Sequence, residues 1–166
     1  MLKKREKKVL IEILKDGRKP DKHIAQILNT SQPTVTRIRQ RLEKKGIITS
    51  YRPHIDLKKI GLNVMAITVF KITDFTIWEK LKKTVLARIL QMPEIINVAL
   101  GEGFGGKTGI LISLHKNFDD YQTMVLELRR KYGKYVTDID QFVMSTDRIY
   151  KTFSTHEAVI GELKKE

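Results

Sequence analysis

The chain has 166 residues, 32 Lys+Arg against 19 Asp+Glu, and a formal net charge of +13. Hydrophobic residues make up 41% of it, enough for packed cores in one domain or two small ones, and their recurrence along the whole chain disfavours disorder. No apolar run approaches the roughly 18 residues of a membrane span, the opening Met1-Leu2-Lys3-Lys4-Arg5 lacks a signal peptide's apolar stretch, and the absence of cysteine excludes disulfides and thiolate chemistry.

The first third reads as three helices. Val9, Leu10, Ile13 and Leu14 recur at helical spacing and stop at Asp16-Gly17, where Gly17 is expected to close the helix in a left-handed conformation. After Pro20, the run Ile24, Ala25, Ile27, Leu28 predicts a short second helix ended by a turn at Asn29-Thr30. Ser31 is a good N-cap for a third helix, with Pro33 tolerated in its first turn. Val35, Ile38 and Leu42 form that helix's apolar stripe, and it ends near Lys45-Gly46. Two helices joined by a tight turn, the second poor in acids and rich in Arg, form a helix-turn-helix pattern.

Charge concentrates in the same region. Residues 1–59 hold 17 Lys+Arg against 6 Asp+Glu, and residues 60–166 hold 15 against 13. A local positive field attracts a polyanion, with nucleic acid the leading partner and a membrane surface or acidic protein the alternatives. At about 100° per residue, Arg37, Gln40 and Lys44 lie opposite the apolar stripe of the third helix. Thr36 flanks them on one edge, Arg41 and Thr34 on the other. These residues, with Ser31 and Gln32 at the helix start, are the candidate DNA-binding set, able to offer phosphate contacts and base-edge readers together. Arg39 falls near the buried stripe and is assigned a structural role, with Glu43 as its i+4 partner.

Residues 47–56 are β-formers that run into Pro53, predicting an extended connector. From Leu62 the period changes. Leu62–Ile72 reads as a strand, Phe75–Met92 as a helix and Ile95–Leu100 as a strand, followed by a Gly-rich loop over 101–109. Ile110–His115 then reads as a strand, Phe118–Tyr132 as a helix and Tyr135–Met144 as a strand. The order βαββαβ predicts a four-stranded antiparallel sheet with two helices on one face, the ferredoxin-like arrangement. Residues 152–166 are either a short helix or a frayed tail. The strands Val64–Phe70 and Ile110–Ile112 are apolar on both alternating sets, so the sheet face without helices needs a partner, and a second copy is the simplest one.

The overall expectation is an α+β chain: a winged-type three-helix helix-turn-helix domain over 1–46, a linker over 47–61, a ferredoxin-like domain over 62–148 and a tail over 149–166. The stretches Val9–Arg18, Ile24–Leu28 and Ser31–Glu43, closed by Lys45-Gly46-Ile47-Ile48, resemble the Lrp/AsnC family of prokaryotic transcriptional regulators. The βαββαβ half is similar in pattern to that family's RAM-type effector and oligomerisation domain. The resemblance implies a homodimer, in some members an octamer, that binds promoter DNA and responds to a small effector such as an amino acid. The family's turn after the second RAM strand is a short Gly-x-x-Asp; the longer segment here lacks that Asp. Its residues Gly101, Glu102, Gly103, Gly105, Gly106, Lys107 and Thr108 are the candidate effector or anion site.

The same segment matches G-x-x-x-x-G-K-S/T, from Gly101 to Lys107-Thr108, so a phosphate-cradling nucleotide switch is the alternative function. A P-loop requires a helix after Thr108, and Gly109–Leu114 reads as a strand instead. An RNA-binding module lacks a surface of stacking aromatics. His23, His54, His115 and His156 have no metal-ligand spacing, no Ser/His/Asp order has supporting context, and no cofactor or enzymatic activity is expected. Trp78 is assigned to a core, and Asp138-x-Asp140 to an exposed strand edge. The chain is expected in the cytoplasm, away from membranes.

Overall fold

The computed structural model describes residues 2–151 and 154–165. Contacts divide it into two compact units, one holding the described residues up to Ile55 with those from 154 onward, the other residues 56–151. Among the described residues no helix is long and apolar enough to cross a membrane.

The first unit contains α1 (Lys4–Lys15), α2 (Asp21–Ile27), α3 (Gln32–Lys44) and α6 (His156–Leu163). The predicted apolar stripes meet in one core, where Val9, Ile24, Val35 and Leu42 are fully buried. Ser31 caps α3 by accepting from the Thr34 backbone N–H. Gly17 is not left-handed: α1 ends at Asp16 in an extended conformation, and Gly17 lies where a Cβ would meet the Tyr51 ring at 3.4 Å. The left-handed glycine that closes a helix here is Gly46, at φ 66° after α3. Residues 47–56 form no strand; instead Ile48 packs on the three-helix core and Tyr51 bonds to α3. Of the two alternatives for the C-terminal stretch, the helix holds for His156–Leu163, and Leu163 packs on the same core. Thr152 and Phe153 lie outside the described residues.

The second unit contains β1 (Val64–Ile72), α4 (Phe75–Ile89), β2 (Ile95–Leu100), β3 (Gly109–His115), α5 (Phe118–Tyr132) and β4 (Val136–Ser145). Its sheet order is β2-β3-β1-β4 with every pair antiparallel, the ferredoxin-like topology. Strand alternation separates two faces. Ala66 packs with Tyr121 and Met124 of α5, and Ile72 with Trp78 and Val85 of α4. The opposite face carries Ile67 between Ile112 and Phe142, Val69 beside Ile110, and Met65 between Leu114 and Met144. Phe142 on that face is 66% exposed.

Three polar residues sit inside this unit: Ser113, His115 and Lys107. His115 is buried, with Nε2 2.9 Å from Ser113 Oγ and its ring edge-on to Tyr121. Burial pulls its pKa below the ordinary imidazole value, with Asp120 and Glu94 acting in the opposite sense. Lys107, also buried, belongs to the loop described below.

Candidate nucleic-acid interface

The turn between α2 and α3 sets the angle at which α3 is presented. Asn29 adopts φ 47°, a left-handed conformation that Asn tolerates, and the Thr30 N–H reaches back to the Ala25 carbonyl at 2.9 Å. The backbone then turns directly into the Ser31 cap.

Both edges of α3 are tied down. On one, Thr36 Oγ1 donates to Asp21 Oδ2 at 2.7 Å and Arg39 Nε donates to Asp21 Oδ1 at 2.7 Å. Arg39 also donates to the Lys19 carbonyl at 3.1 Å and to Tyr51 Oη at 3.2 Å, while Tyr51 donates to Glu43 at 2.7 Å. Arg39 is therefore structural, as expected, but its acidic partner is Asp21 rather than Glu43. Burial works against the Arg39 charge; the bonds to Tyr51 and Asp21 outweigh it and raise its pKa.

On the other edge, Arg41 Nη1 donates to Glu6 Oε1 at 3.3 Å. Glu6 is buried at the start of α1 and also accepts the Lys3 N–H at 2.8 Å. That backbone bond, then Arg41 and Lys45, hold its carboxyl below the usual carboxylate range despite burial. Glu12 on α1 is held low in the same sense: Lys15 and Lys19 overcome the effect of its burial.

Between these edges Arg37, Gln40 and Lys44 point outward and have no side-chain partner among the described residues. Arg41 keeps half of its side chain exposed. Ser31 and Gln32 lie exposed at the helix start, where Ser31 Oγ and Thr34 Oγ1 bond at 2.8 Å. Thr36 is corrected by the structure: its hydroxyl is committed to Asp21 and anchors the helix. Lys3 and Arg5 line a hollow with Arg37 and Arg41, extending the cationic surface onto α1. The basic run Lys3-Lys4-Arg5 was the sequence signal for them.

The Gly-rich segment is arranged for structure. Lys107 is buried and its Nζ is bound to the Asp138 carbonyl, to Asp138 Oδ1 at 2.7 Å and to Asp140 Oδ2 at 2.8 Å. Burial opposes the Lys107 charge, and the two carboxylates outweigh it and raise its pKa. Thr108 Oγ1 accepts the Ile72 N–H at 2.8 Å, and the Gly101 and Gly103 N–H groups bond to the Thr108 and Lys107 carbonyls. The P-loop alternative fails on this geometry, because Thr108 leads into β3 and its Lys is spent on two Asp side chains. For the same reason Lys107, Thr108, Gly101 and Gly103 do not form an open anion cradle. Glu102, Gly105 and Gly106 remain exposed around Phe104. Asp138 and Asp140, assigned to a plain strand edge, are the partners of Lys107. Among the described residues no group of three or more His, Asp or Glu is placed to hold a metal.

Residues 2–49 match the family model for a winged helix-turn-helix DNA-binding domain. With α3 presented in this way in a chain that also carries a ferredoxin-like unit, the molecule is a helix-turn-helix transcriptional regulator. It is 36% identical over 95 residues to the HTH-type transcriptional regulator LrpA of Pyrococcus abyssi, covering 55% of this chain and 67% of that one. It is 24% identical over 160 residues to the HTH-type transcriptional regulator FL11 of Pyrococcus furiosus, covering 96% of this chain and 89% of that one. Among solved structures, a Neisseria meningitidis transcriptional regulator in complex with L-Met superimposes with a TM-score of 0.77 at 18% identity, over 93% of this chain and 96% of that one. Escherichia coli AsnC does so with a TM-score of 0.72 at 16% identity, over 92% and 98%. The chain belongs to the Lrp/AsnC family.

Proposed function

We propose that this regulator acts as a homo-oligomer whose α3 helices enter successive major grooves of double-stranded DNA. The observation that carries this reading is the division of labour on α3: its edges are pinned to α1 and α2, while Arg37, Gln40 and Lys44 are left outward and unpaired. Arg37 and Arg41 supply phosphate or guanine contacts; Thr34 and Gln40 read base edges; Ser31, Gln32 and Lys44 contact the backbone. In a two-fold dimer the helices meet half-sites roughly 34 Å apart. The apolar sheet face that carries Ile67 and Ile112, with Phe142 exposed on it, supports the dimer, and higher assembly to an octamer follows the family pattern.

The test is recovery of bound genomic fragments over a salt series. Specific binding leaves an enriched two-fold motif, and affinity falls steeply with salt. Arg37→Ala with Arg41→Ala should weaken binding at least tenfold and lower the salt slope by about one unit per phosphate contact removed, with the oligomer intact. Unchanged affinity in that double variant would remove α3 from the interface.

A small effector, an amino acid by analogy with the L-Met complex, is the proposed modulator. Titrating the amino acids into the DNA-binding assay tests it: a shift in operator affinity with one of them supports the role, and none across the set rejects it.

A further inference from the structure

A hollow of about 210 Å³ lies between the start of α1 and α3, and Lys3, Arg5, Arg37 and Arg41 all line it. Glu6 is its only acidic lining residue. A carboxylate set into a surface that meets a polyanion weakens the attraction. Capping accounts for one of its oxygens: Oε2 accepts the Lys3 N–H at 2.8 Å and completes the first turn of α1. The other, Oε1, faces α3 and accepts from Arg41 Nη1 at 3.3 Å.

The bond to Arg41 does more than tie two helices together. α1 and α3 already share a core in which Val9 and Leu10 are buried with Val35 and Leu42. Half of the Arg41 side chain is exposed, and ion pairs open to water add little to stability. What the bond fixes is the guanidinium itself. Only 3% of the Glu6 side chain is exposed, so the acceptor has little freedom, and one Nη of Arg41 is held to it. The Lys3 N–H, with Arg41 and Lys45, keeps the Glu6 carboxyl below the usual carboxylate range, so the acceptor stays charged at neutral pH.

Two DNA groups compete for such a guanidinium. A phosphate can be met from many directions, and one drawn to Arg41 would approach the Glu6 carboxylate and be repelled by it. A guanine edge is uncharged and demands orientation: its O6 and N7 accept two parallel N–H bonds from a planar fork. Holding the fork before DNA arrives also reduces the ordering that binding must impose. A carboxylate at this place therefore disfavours phosphate and favours guanine.

We infer that Glu6 is a positioning residue for sequence recognition, orienting Arg41 toward the O6 and N7 atoms of a guanine in the major groove. This role presupposes that α3 is the helix in the groove, as proposed above. It divides the two arginines of that surface: Arg37, without a side-chain partner among the described residues, takes a phosphate, and Arg41 reads a base.

The full-length protein and its Glu6→Gln variant are carried through selection from a randomised duplex library. Affinities are then measured for the most enriched duplex and for alternating poly(dA-dT), which contains no guanine. Gln keeps an acceptor for the Lys3 N–H, so α1 stays capped, and circular dichroism checks the fold. The expected result is a roughly fivefold or greater loss on the enriched duplex, with equal or tighter binding to poly(dA-dT). A guanine preference should disappear at one position of each half-site. Arg41→Lys, which keeps the charge but not the fork, should remove the same preference, and combining the two changes should cost no more than Arg41→Lys alone. Glu6→Gln that tightens both duplexes alike with an unchanged motif overturns the role and leaves Glu6 a cap that subtracts charge. An equal loss on both duplexes also overturns it, assigning Glu6 to the fold, and a guanine preference that survives Arg41→Lys overturns the contact itself. The reading of α3 fails separately, when the Arg37→Ala, Arg41→Ala double variant binds unchanged.

Discussion

Asp21 illustrates how a single carboxylate can set the orientation of a recognition helix. It accepts from Thr36 and from Arg39, one turn apart on α3, and both contacts are 2.7 Å. Both Asp21 and Arg39 are largely shielded from water, with 16% and 17% of their side chains exposed. Removing the acceptor leaves a poorly solvated guanidinium behind, a loss of about 1.5–3 kcal/mol for hydrogen bonds to charged groups. Asp21→Ala should therefore lower the urea midpoint of the head and weaken DNA binding even though Asp21 lies outside the proposed DNA-binding set; Asp21→Glu should recover part of both.

His115 gives a second residue-level expectation. Its folded-state pKa lies below the unfolded value, so the unfolded chain takes up a proton more readily and protonation favours unfolding. Stability conferred by the neutral ring is fully present above the ordinary imidazole range and is lost as pH falls through it. Denaturant midpoints measured between about pH 7.5 and pH 5 should decline, and His115→Asn should flatten that decline. A midpoint indifferent to pH in the unmodified protein would contradict the account of burial.

At the level of elements, the loop between β2 and β3 owes its shape to one buried cation. Lys107 ties the segment to Asp138 and Asp140 of β4, and Thr108 adds a bond to the end of β1. Lys107→Met should preserve the sheet but loosen the hairpin. Hydrogen exchange should quicken by tenfold or more at the Gly101 and Thr108 amides, while amides in the centre of β3 keep their protection.

Such ties explain what could be foreseen from the chain alone. The helices of the head and the strands of the second unit follow from apolar spacing, and Ser31 declares itself as a cap because capping is local. The partner of Arg39 is 18 residues away and that of Lys107 more than 30, so no local pattern announces them. Thr36 is similar: its place on the helix edge is legible, but the acceptor that takes its hydroxyl comes from another helix. Leu163 reaches the head core from the far end of the sequence, beyond the range of any window.

At the scale of the whole molecule, the second unit carries one sheet face packed against helices and one that exposes Phe142. The apolar row Ile112, Ile67, Phe142 runs across three strands of the face without helices, with Ile112 buried, Ile67 half-buried and Phe142 exposed. Contiguous apolar surface of this kind is rarely left in water. Light scattering at micromolar concentration should give at least a dimer, and Phe142→Glu, which sets two charges against each other across a two-fold axis, should shift the protein to monomer and depress operator affinity by losing the paired grip. A monomeric unmodified protein would leave the α3 face with a single half-site.

On α3 the side chains that anchor the helix differ from those proposed to read DNA, which has a consequence for how such a protein can diversify. Thr36, Arg39 and Val35 hold the rod in place, while positions 37, 40 and 44 hang outside that scaffold. A lineage, or a selection library, can rewrite those three letters and acquire a new target without rebuilding the support beneath them.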